Sequence, residues 1–451
     1  MGGQDAHPTR LKNLLLNRKM LISQEKFEKI YQYELTPKQK KVLPLFLAGQ
    51  TDEQIAKELG ATHRSTASHQ LRNISTRFGF PPETEPDYRC NLIEMFAKYK
   101  PELVSVKALE KCGHIIQNIR FPEGSEPLNS AFYQERSPVE SRCYAAIKEA
   151  GALVRIKAPK QMGKTSLLKR IMAEAKKSGY STVYLNFSLI ETNKFSNAND
   201  FLRSFYAYVV NQLPWAPPLT VWDTDIPSMV SCTRTFQSLL KQLDGVLVLA
   251  LDEVDKLFEY PEIYQNFFPM LRNWNENANE SETWEKLRLL VAHSTEDYGR
   301  LDINQSPFNV GLPIKLEEFT EEQVKSLAIR HGLDSNNILP IMSLVGGHPY
   351  LVRLALYYLV CQGATIGELL QEAATDAGIF TEHLRRYLET FQENPELGRV
   401  FKEIVSNSEG IKVERKNRQI YQLDSMGVIK FWNNCVRARC RLYQEYFGSY
   451  L

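Results

Sequence analysis

Gly163, Lys164 and Thr165, in the order G-K-T, set the first chemistry open to this chain. A glycine without a Cβ lets the main chain come close to an anion. The lysine beside it can neutralise phosphate oxygens, and the hydroxyl one place on can hold a divalent cation. The full stretch is Ala158, Pro159, Lys160, Gln161, Met162, Gly163, Lys164, Thr165 and Ser166. It fits the phosphate-loop pattern G-x-x-x-x-G-K-[ST] in its second half, while Ala158 stands where the first glycine belongs. Leu153–Lys157 is rich in strand formers and Lys164–Lys177 has helical periodicity. The loop therefore falls at a strand-to-helix turn, where N–H groups and the helix N-terminus face an anion.

A second constellation follows. Val246–Leu251 is wholly apolar, as a strand buried on both faces must be, and it ends in Asp252 and Glu253. The carboxyl end of such a strand is where open α/β sheets bind ligands. Asp252 with Thr165 is placed to hold Mg²⁺, and Glu253 to polarise an attacking water as general base. Loop and acids together make ATP with Mg²⁺ the expected ligand pair and ATP hydrolysis the expected reaction. Lys164, Asp252, Glu253 and Ser294 are its catalytic candidates. Ser294 follows a further strand, Leu287–His293; it either touches the γ-phosphate or simply caps the strand. His293 reads as a structural histidine.

These groups need a scaffold, and the chain alternates to supply one. Helices are expected at Cys143–Glu149, Lys164–Lys177, Ala198–Gln212, Thr233–Gln242 and Glu259–Asn275. Strands are expected at Leu153–Lys157, Thr182–Leu189, Val246–Leu251 and Leu287–His293. Strands alternating with helices imply a parallel sheet covered on both faces. From Thr320 the chain turns mainly helical, with strand-like pieces at Gly427–Phe431 and Ala438–Tyr443.

The chain has 451 residues, 43% hydrophobic and 24% charged, with a net charge of +2. That is an ordinary globular composition with material for more than one core. No apolar run reaches the length of about 18 residues that a membrane helix needs. The N-terminus lacks the features of a secretory leader. Seven cysteines stand at scattered positions without CxxC pairs. Reduced thiols in a cytoplasmic protein are expected, rather than a disulfide frame or a zinc site. With so small a net charge, any nucleic-acid affinity must come from a local patch.

Several stretches resemble the AAA-like family of bacterial, largely cyanobacterial, STAND-type NTPases. They are Phe121–Gly124, Ser130–Arg136, the loop with its Ala158-Pro159, Asp252–Asp255, Ser306–Gly311, Gly346–Leu351 and Arg441–Phe447. The resemblance implies that Tyr133 and Arg136 cradle adenine. It also implies that Gly347-His348-Pro349 is a lid element set against the nucleotide, although Pro at a first helical turn is equally an ordinary start signal. Arg353, one turn on, is a candidate lid sensor or a surface charge. Asn394–Phe447 is similar to the winged-helix domain that closes STAND ATPase modules, where it usually serves as a switch. Its basic stretches, Lys412–Arg418 and Arg437–Arg441, leave DNA contact open.

Ahead of this lies a compact helical block. Thr36 caps a first helix with Pro37 in its first turn, and Pro44 should kink or shorten it. Thr51 opens a second helix as a T-x-x-Q capping box, and Thr62 opens a third running to about Phe78. Ala67, Leu71, Ile74 and Phe78 are its core face. Thr62, His63, Arg64, Ser65, Ser68, His69 and Arg72 are left exposed, small donors and cations suited to phosphates and base edges. The block resembles the LuxR-type helix-turn-helix through Leu35-Thr36-Pro37, Gly49, Glu53, Ile55-Ala56, Thr66, His69 and Ile74, with Pro44 a departure. The resemblance implies double-stranded DNA as partner, bound by more than one head.

The expected architecture is multidomain α and α/β: a helix-turn-helix, a P-loop α/β ATPase with a parallel sheet, a helical lid and a winged helix. The boundaries are 1–34 (weakly ordered or short helical), 35–103 (helix-turn-helix), 104–128 (linker), 129–315 (ATPase core), 316–393 (lid) and 394–451 (winged helix). The expected activity is an ATP-driven, slowly hydrolysing switch that assembles with nucleotide and regulates transcription, signalling or defence. It would act in the cytoplasm, on the nucleoid when DNA-bound, with an unidentified protein as possible further partner and no membrane. A ring-forming loader for replication or transposition, with Arg300 as a candidate finger, and a non-catalytic ATP-bound scaffold are the alternatives.

Overall fold

The computed structural model describes residues 22–60, 63–100, 103–105, 108, 111–112, 119–214, 222–294, 309–333, 338–407, 409–412 and 418–451. Thr62, Arg300, Ser306–Phe308 and residues 413–417 lie outside the described residues.

The α-helices described in the head are α1 (Gln24–Lys29), α2 (Pro37–Leu47), α3 (Asp52–Glu58), α4 (Ser65–Arg77) and α5 (Tyr88–Tyr99). Reciprocal capping boxes, Thr36 with Gln39 and Thr51 with Gln54, start α2 and α3. Pro44 lies inside α2 without shortening it, one of the two effects expected of it, and the helix runs on to Leu47. Pro44 and Lys40, whose carbonyl loses its helical donor, are both on the exposed face, where water can replace the bond. Ala67, Leu71, Ile74 and Phe78 are fully buried, as their spacing predicts. The rings of Phe78, Phe96 and Tyr99 lie 5.3, 5.0 and 4.8 Å from that of Phe27. The expectation of wholly reduced cysteines is corrected here. Cys90 and Cys112 form a disulfide, brought together because Ser105 N donates to Leu47 O and Lys111 Nζ to Gly49 O. Scattered spacing could not show that pairing.

The central unit begins with α6 (Val139–Ala146) and β1 (Leu153–Lys157). Then come α7 (Lys164–Lys177), β2 (Ser181–Asn186), α8 (Ala198–Asn211), α9 (Ser228–Gln242) and β3 (Leu247–Asp252). It closes with α10 (Pro261–Asn277), β4 (Leu287–His293) and β5 (Leu312–Lys315). The strands form one parallel sheet in the order β2-β3-β4-β1-β5. On one face Leu247, Leu249 and Leu251 pack with α8, α9 and α10; on the other Val248 and Ala250 pack with α7. This is the two-sided burial that the apolar run of β3 requires. The short edge strand β5 was not anticipated.

The chain continues through α11 (Glu321–Arg330), α12 (Ile338–Val345), α13 (Pro349–Cys361), α14 (Ile366–Glu372), α15 (Thr381–Glu393) and α16 (Pro395–Val405). It ends in β6 (Ile411–Lys412), α17 (Arg418–Met426), β7 (Ile429–Trp432), β8 (Cys435–Ala438) and α18 (Arg441–Tyr450). The expected strand at Ala438–Tyr443 is instead the end of β8 and the start of α18. Tyr443, Tyr446 and Phe447 are buried at helical spacing, and that spacing overrides the aromatic strand propensity. One continuous apolar core joins α11–α16 to the C-terminal three-stranded antiparallel sheet and its helices.

Three histidines are buried in this shared core: His331, His348 and His383. Burial, with nearby arginines, pulls His331 and His383 down to about 3 and His348 well below the ordinary value. A histidine held neutral contributes its full stability above its unfolded pKa and loses it as pH falls toward the folded one. Unfolding followed by circular dichroism should thus show a loss of about 2 kcal/mol per histidine between pH 6.5 and 5. His383→Gln should shrink that slope. A flat profile over this window would contradict the assignment of three neutral imidazoles.

Candidate functional site

The sheet order decides the site. Strand β4 lies between β1 and β3, so Ser294 emerges between the loop after β1 and the acids after β3. Lys164, 7% exposed at the start of α7, donates from Nζ to Ala158 O at 2.8 Å, Pro159 O at 2.9 Å and Ser294 Oγ at 2.9 Å. Burial pushes its ammonium down to about 8, opposed by Asp255, Asp252 and Glu253. Thr165 Oγ1 donates to Asp252 Oδ2 at 2.7 Å, and Tyr184 OH, from β2, donates to the same oxygen at 2.9 Å. Asp255 Oδ1 accepts from Ser294 N at 2.8 Å, tying the ends of β3 and β4 together. Ser188 Oγ donates to Glu253 Oε2.

Two non-glycine residues of the site, Gln161 and Glu253, take left-handed backbone, with φ of 62° and 53°. Such strain costs on the order of 1–3 kcal/mol each and persists where surrounding structure holds it. Gly163, with φ 93°, needs its missing side chain for a further reason. A Cβ there would lie 2.7 Å from Arg136 Nη2.

The cavity above the loop measures about 1030 Å³, at the upper end of small-molecule sites. Tyr133, Arg136, Lys160, Gln161, Gly163, Lys164, Thr165, Ser166, Asp252, Glu253, Ser294 and Pro349 all line it. Ala158 and Met162 are buried in the core beneath the loop, and Pro159 faces Gly427, so these three shape the loop rather than the cavity. His348 is buried and caps α13, accepting from Leu351 N at 3.5 Å; it is not on the cavity wall.

Arg136 Nη2 donates to Met162 O at 2.7 Å and its guanidinium lies 5.0 Å from the Phe319 ring. Its Nε and Nη1 are buried with no acceptor among the described residues. Tyr133 donates to Glu140 Oε1 at 2.8 Å, and Arg170 stacks on its ring at 3.4 Å. Arg353 is engaged by Glu126 at 3.2 Å, by His331 and by Arg120 O at 3.3 Å. Among the described residues no cluster of three or more His, Cys, Asp or Glu is set to hold a metal on its own. Thr165 and Asp252 would supply protein oxygens only in company with phosphate and water. Tyr184, Ser188, Asp255 and Glu126 were not foreseen. Asp255 alone left a sequence signal, as the second acid of Asp252-Glu253-Val254-Asp255.

In the head, Ser65, Ser68, His69 and Arg72 of α4 and Arg64 line a groove of about 690 Å³ together with Thr51, Asp52 and Glu53. Arg64 pairs with Glu53 at 3.5 Å. Ser68 Oγ already accepts from Arg89, which is held bidentately by Asp52. His63 is exposed beside them.

With this geometry in hand, residues 121–449 match the family described as AAA-like domain. The chain belongs to the AAA-like domain family. Its fold is similar to that of a Walker-type ATPase of Pyrococcus abyssi, at 14% identity and a TM-score of 0.53, covering 72% of this chain and 98% of that one. The ORC2 protein of Aeropyrum pernix in its ADPNP–ADP complexes aligns at 16% identity and a TM-score of 0.43, covering 71% and 95%. No curated protein matches the AAA-like chain in sequence. No helix among the described residues is long and apolar enough to cross a membrane.

The Gly163–Arg136 contact yields a direct check. Gly163→Ala should displace Arg136 and strain the loop, lowering stability by about 1–3 kcal/mol in thermal unfolding. The same change at Gly179, where a Cβ would meet nothing within 4 Å, should cost only the backbone strain of its φ of 80° and leave nucleotide binding intact. Equal nucleotide affinity in the two variants would refute the proposed tight approach at Gly163.

Proposed function

We propose that this AAA-like protein is a STAND-type molecular switch that binds and slowly hydrolyses ATP and carries a DNA-binding helix-turn-helix head. The observation that carries the reading is a bonded path from the phosphate loop to the far end of the chain. Gln161 Oε1 lies 2.6 Å from His383 Nδ1, and His383 Nε2 lies 2.6 Å from Tyr443 OH. Gly427, at the turn before β7, sits so close to the loop that a Cβ would be 2.5 Å from Pro159 Cβ. Anything that repositions Gln161 or Pro159 must therefore move α15, α18 or the turn at Gly427. That is a two-state element which a nucleotide can bias.

The head is coupled to the same cavity. Glu126, in the segment that follows the head, donates its N–H to Ser166 Oγ at 3.0 Å and pairs with Arg353. Arg170 grips the Glu126 and Pro127 carbonyls at 3.2 and 2.8 Å. Ile329 of α11 belongs to the apolar core of the head. ATP occupying the cavity would thus touch the strap leading to the head, the loop and the lid at once.

In hydrolysis, Lys164 would turn its N–H donors from the loop carbonyls toward the β- and γ-phosphate oxygens. Arg136, on the cavity wall, would add positive charge beside the nucleotide. Mg²⁺, held through Thr165 and Asp252, would supply charge neutralisation on the phosphates. Glu253 would leave Ser188 and take a proton from the water whose oxygen bonds to the γ-phosphorus as the bond to the β–γ bridging oxygen breaks. Ser294 would position Lys164. Winged-helix movement would then change assembly, and linked heads would gain DNA avidity through effective concentration. The exposed donors of α4 support duplex contact, with Arg64 and Ser68 first released from Glu53 and Arg89.

Binding of duplex DNA should be measured with ATP, ADP and no nucleotide, at stated salt, beside Lys164→Ala. A nucleotide-dependent shift in affinity or assembly that Lys164→Ala abolishes is the expected result. No DNA affinity in any state would make the head a protein-contact module. Glu253→Gln should lower hydrolysis about 100-fold or more while retaining ATP binding. An unchanged rate would favour an ATP-bound scaffold.

A further inference from the structure

The C-terminal hairpin carries chemistry that the nucleotide site does not use. The register of β7 and β8 pairs Ile429 with Ala438, Lys430 with Arg437, Phe431 with Val436 and Trp432 with Cys435. Ile429 and Val436 are fully buried, so their face of the hairpin is the core face. Lys430, Trp432 and Arg437 share the opposite, outer face. Lys412 of β6 pairs with Cys435 and extends the same row.

On that outer face Arg437 stacks on Trp432, its guanidinium carbon 4.5 Å from the ring centroid, yet the indole stays 55% exposed. Arg437 Nε is buried and has no acceptor among the described residues. Beside it opens a cavity of about 270 Å³ lined by Lys430, Arg437, Arg439 and Arg441, with no carboxylate among the described residues of its wall. Two of the four cations are already neutralised: Arg439 by Glu318 at 2.7 Å and Arg441 by Glu445 at 3.1 Å. Lys430 and Arg437 have no such partner among the described residues. The turn residues Asn433 and Asn434, with φ of 46° and 63°, form a tight two-residue loop that pushes the hairpin tip outward. Phe431 and Tyr421 flank the tip from the other side, their rings 6.3 Å apart and each nearly half exposed.

We infer that this outer face is a binding site for single-stranded nucleic acid, one backbone phosphate seated between Lys430 and Arg437 and one base stacked on Trp432. The cavity is below the ~300 Å³ lower end of small-molecule sites, so it suits a single phosphate group and not a whole free nucleotide. A phosphate there meets the two cations, Lys430 and Arg437, that no carboxylate among the described residues neutralises. Cations beside an open aromatic face are the combination that tracks a backbone and stacks unpaired bases. A duplex keeps its bases stacked on each other and offers the indole no open face. The inference is independent of the proposed head contacts with duplex DNA, which involve other residues.

The test uses the full chain and a fluorescent oligothymidine of about 20 nucleotides, long enough for one site, followed by anisotropy between ~50 and ~200 mM salt. Trp432→Ala, at an exposed position, should weaken binding about tenfold or more. Lys430→Gln and Arg437→Gln should each weaken it and flatten the log–log salt slope by about 0.7. Lys241→Gln, at an exposed cation of α9 in neither site, should leave it unchanged; duplex binding is read separately, which separates failure of the head reading from failure of this one. Unaltered thermal unfolding of Trp432→Ala and Lys430→Gln shows that the fold is kept. Three results would overturn the site: no oligothymidine binding by the parent protein, Trp432→Ala indistinguishable from it, or a duplex of equal length bound equally well with the same sensitivity. Inorganic phosphate displacing the oligonucleotide at equal phosphate concentration would also overturn it, by showing a free-anion site.

Discussion

A buried ammonium group is the constraint on which the rest of the structure turns. Lys164 is almost fully enclosed, and a charge taken out of water is expensive unless oxygen atoms surround it. The loop supplies two carbonyls, β4 supplies the Ser294 hydroxyl, and β3 supplies the carboxylates of Asp252, Glu253 and Asp255. These donors and acceptors come from three strand ends. They converge only because β4 is inserted between β1 and β3 in a parallel sheet. The apolar run Leu247–Leu251, which looks like mere core, is what holds that sheet rigid enough to fix a cation to within hydrogen-bond distance.

The same cavity is walled by three parts of the chain that are far apart in sequence. Glu126 closes it from the segment after the head, the loop forms its floor, and Phe319, Pro349, Tyr350 and Arg386 reach in from the helical part of the chain after β5. Arg353, buried between Glu126, His331 and the ring of Phe132, ties α13 to the segment after the head. A breach of this pair would leave a buried guanidinium without its carboxylate, which is far more costly than losing a surface ion pair. The closed arrangement is therefore held by a few polar contacts over a large apolar core. Such contacts can be exchanged without unfolding either side.

Much of this was legible in the residues. Lys164–Lys177, Leu153–Lys157 and Leu287–His293 match their expected bounds because period and caps agree there. The loop, Asp252 and Glu253 fall together as their order implies. What the sequence withheld was tertiary. The Tyr184 hydroxyl reaches Asp252 only through the pairing of β2 with β3, and Ser188 reaches Glu253 only through the turn that follows. Cys90 and Cys112 are 22 residues apart and carry no local signature. The helix over Arg441–Tyr450 was misread because Leu442, Tyr443, Tyr446 and Phe447 are strand formers by type and helical only by spacing.

The departure of the loop from the usual pattern can now be given a physical cause. Ala158 continues the edge of β1, its N–H donating to His293 O at 3.3 Å, and it is almost wholly buried, so a methyl group fills space that glycine would leave empty. Pro159 cannot donate a hydrogen bond, but its carbonyl accepts from Lys164 and its ring packs where Gly427 leaves room. Gln161 pays for its left-handed backbone through the bond to His383. The half of the loop that faces phosphate keeps the residues that phosphate requires. The half that faces the C-terminal unit has given up backbone freedom for contacts with that unit, so the proposed nucleotide cradle is at the same time an interface.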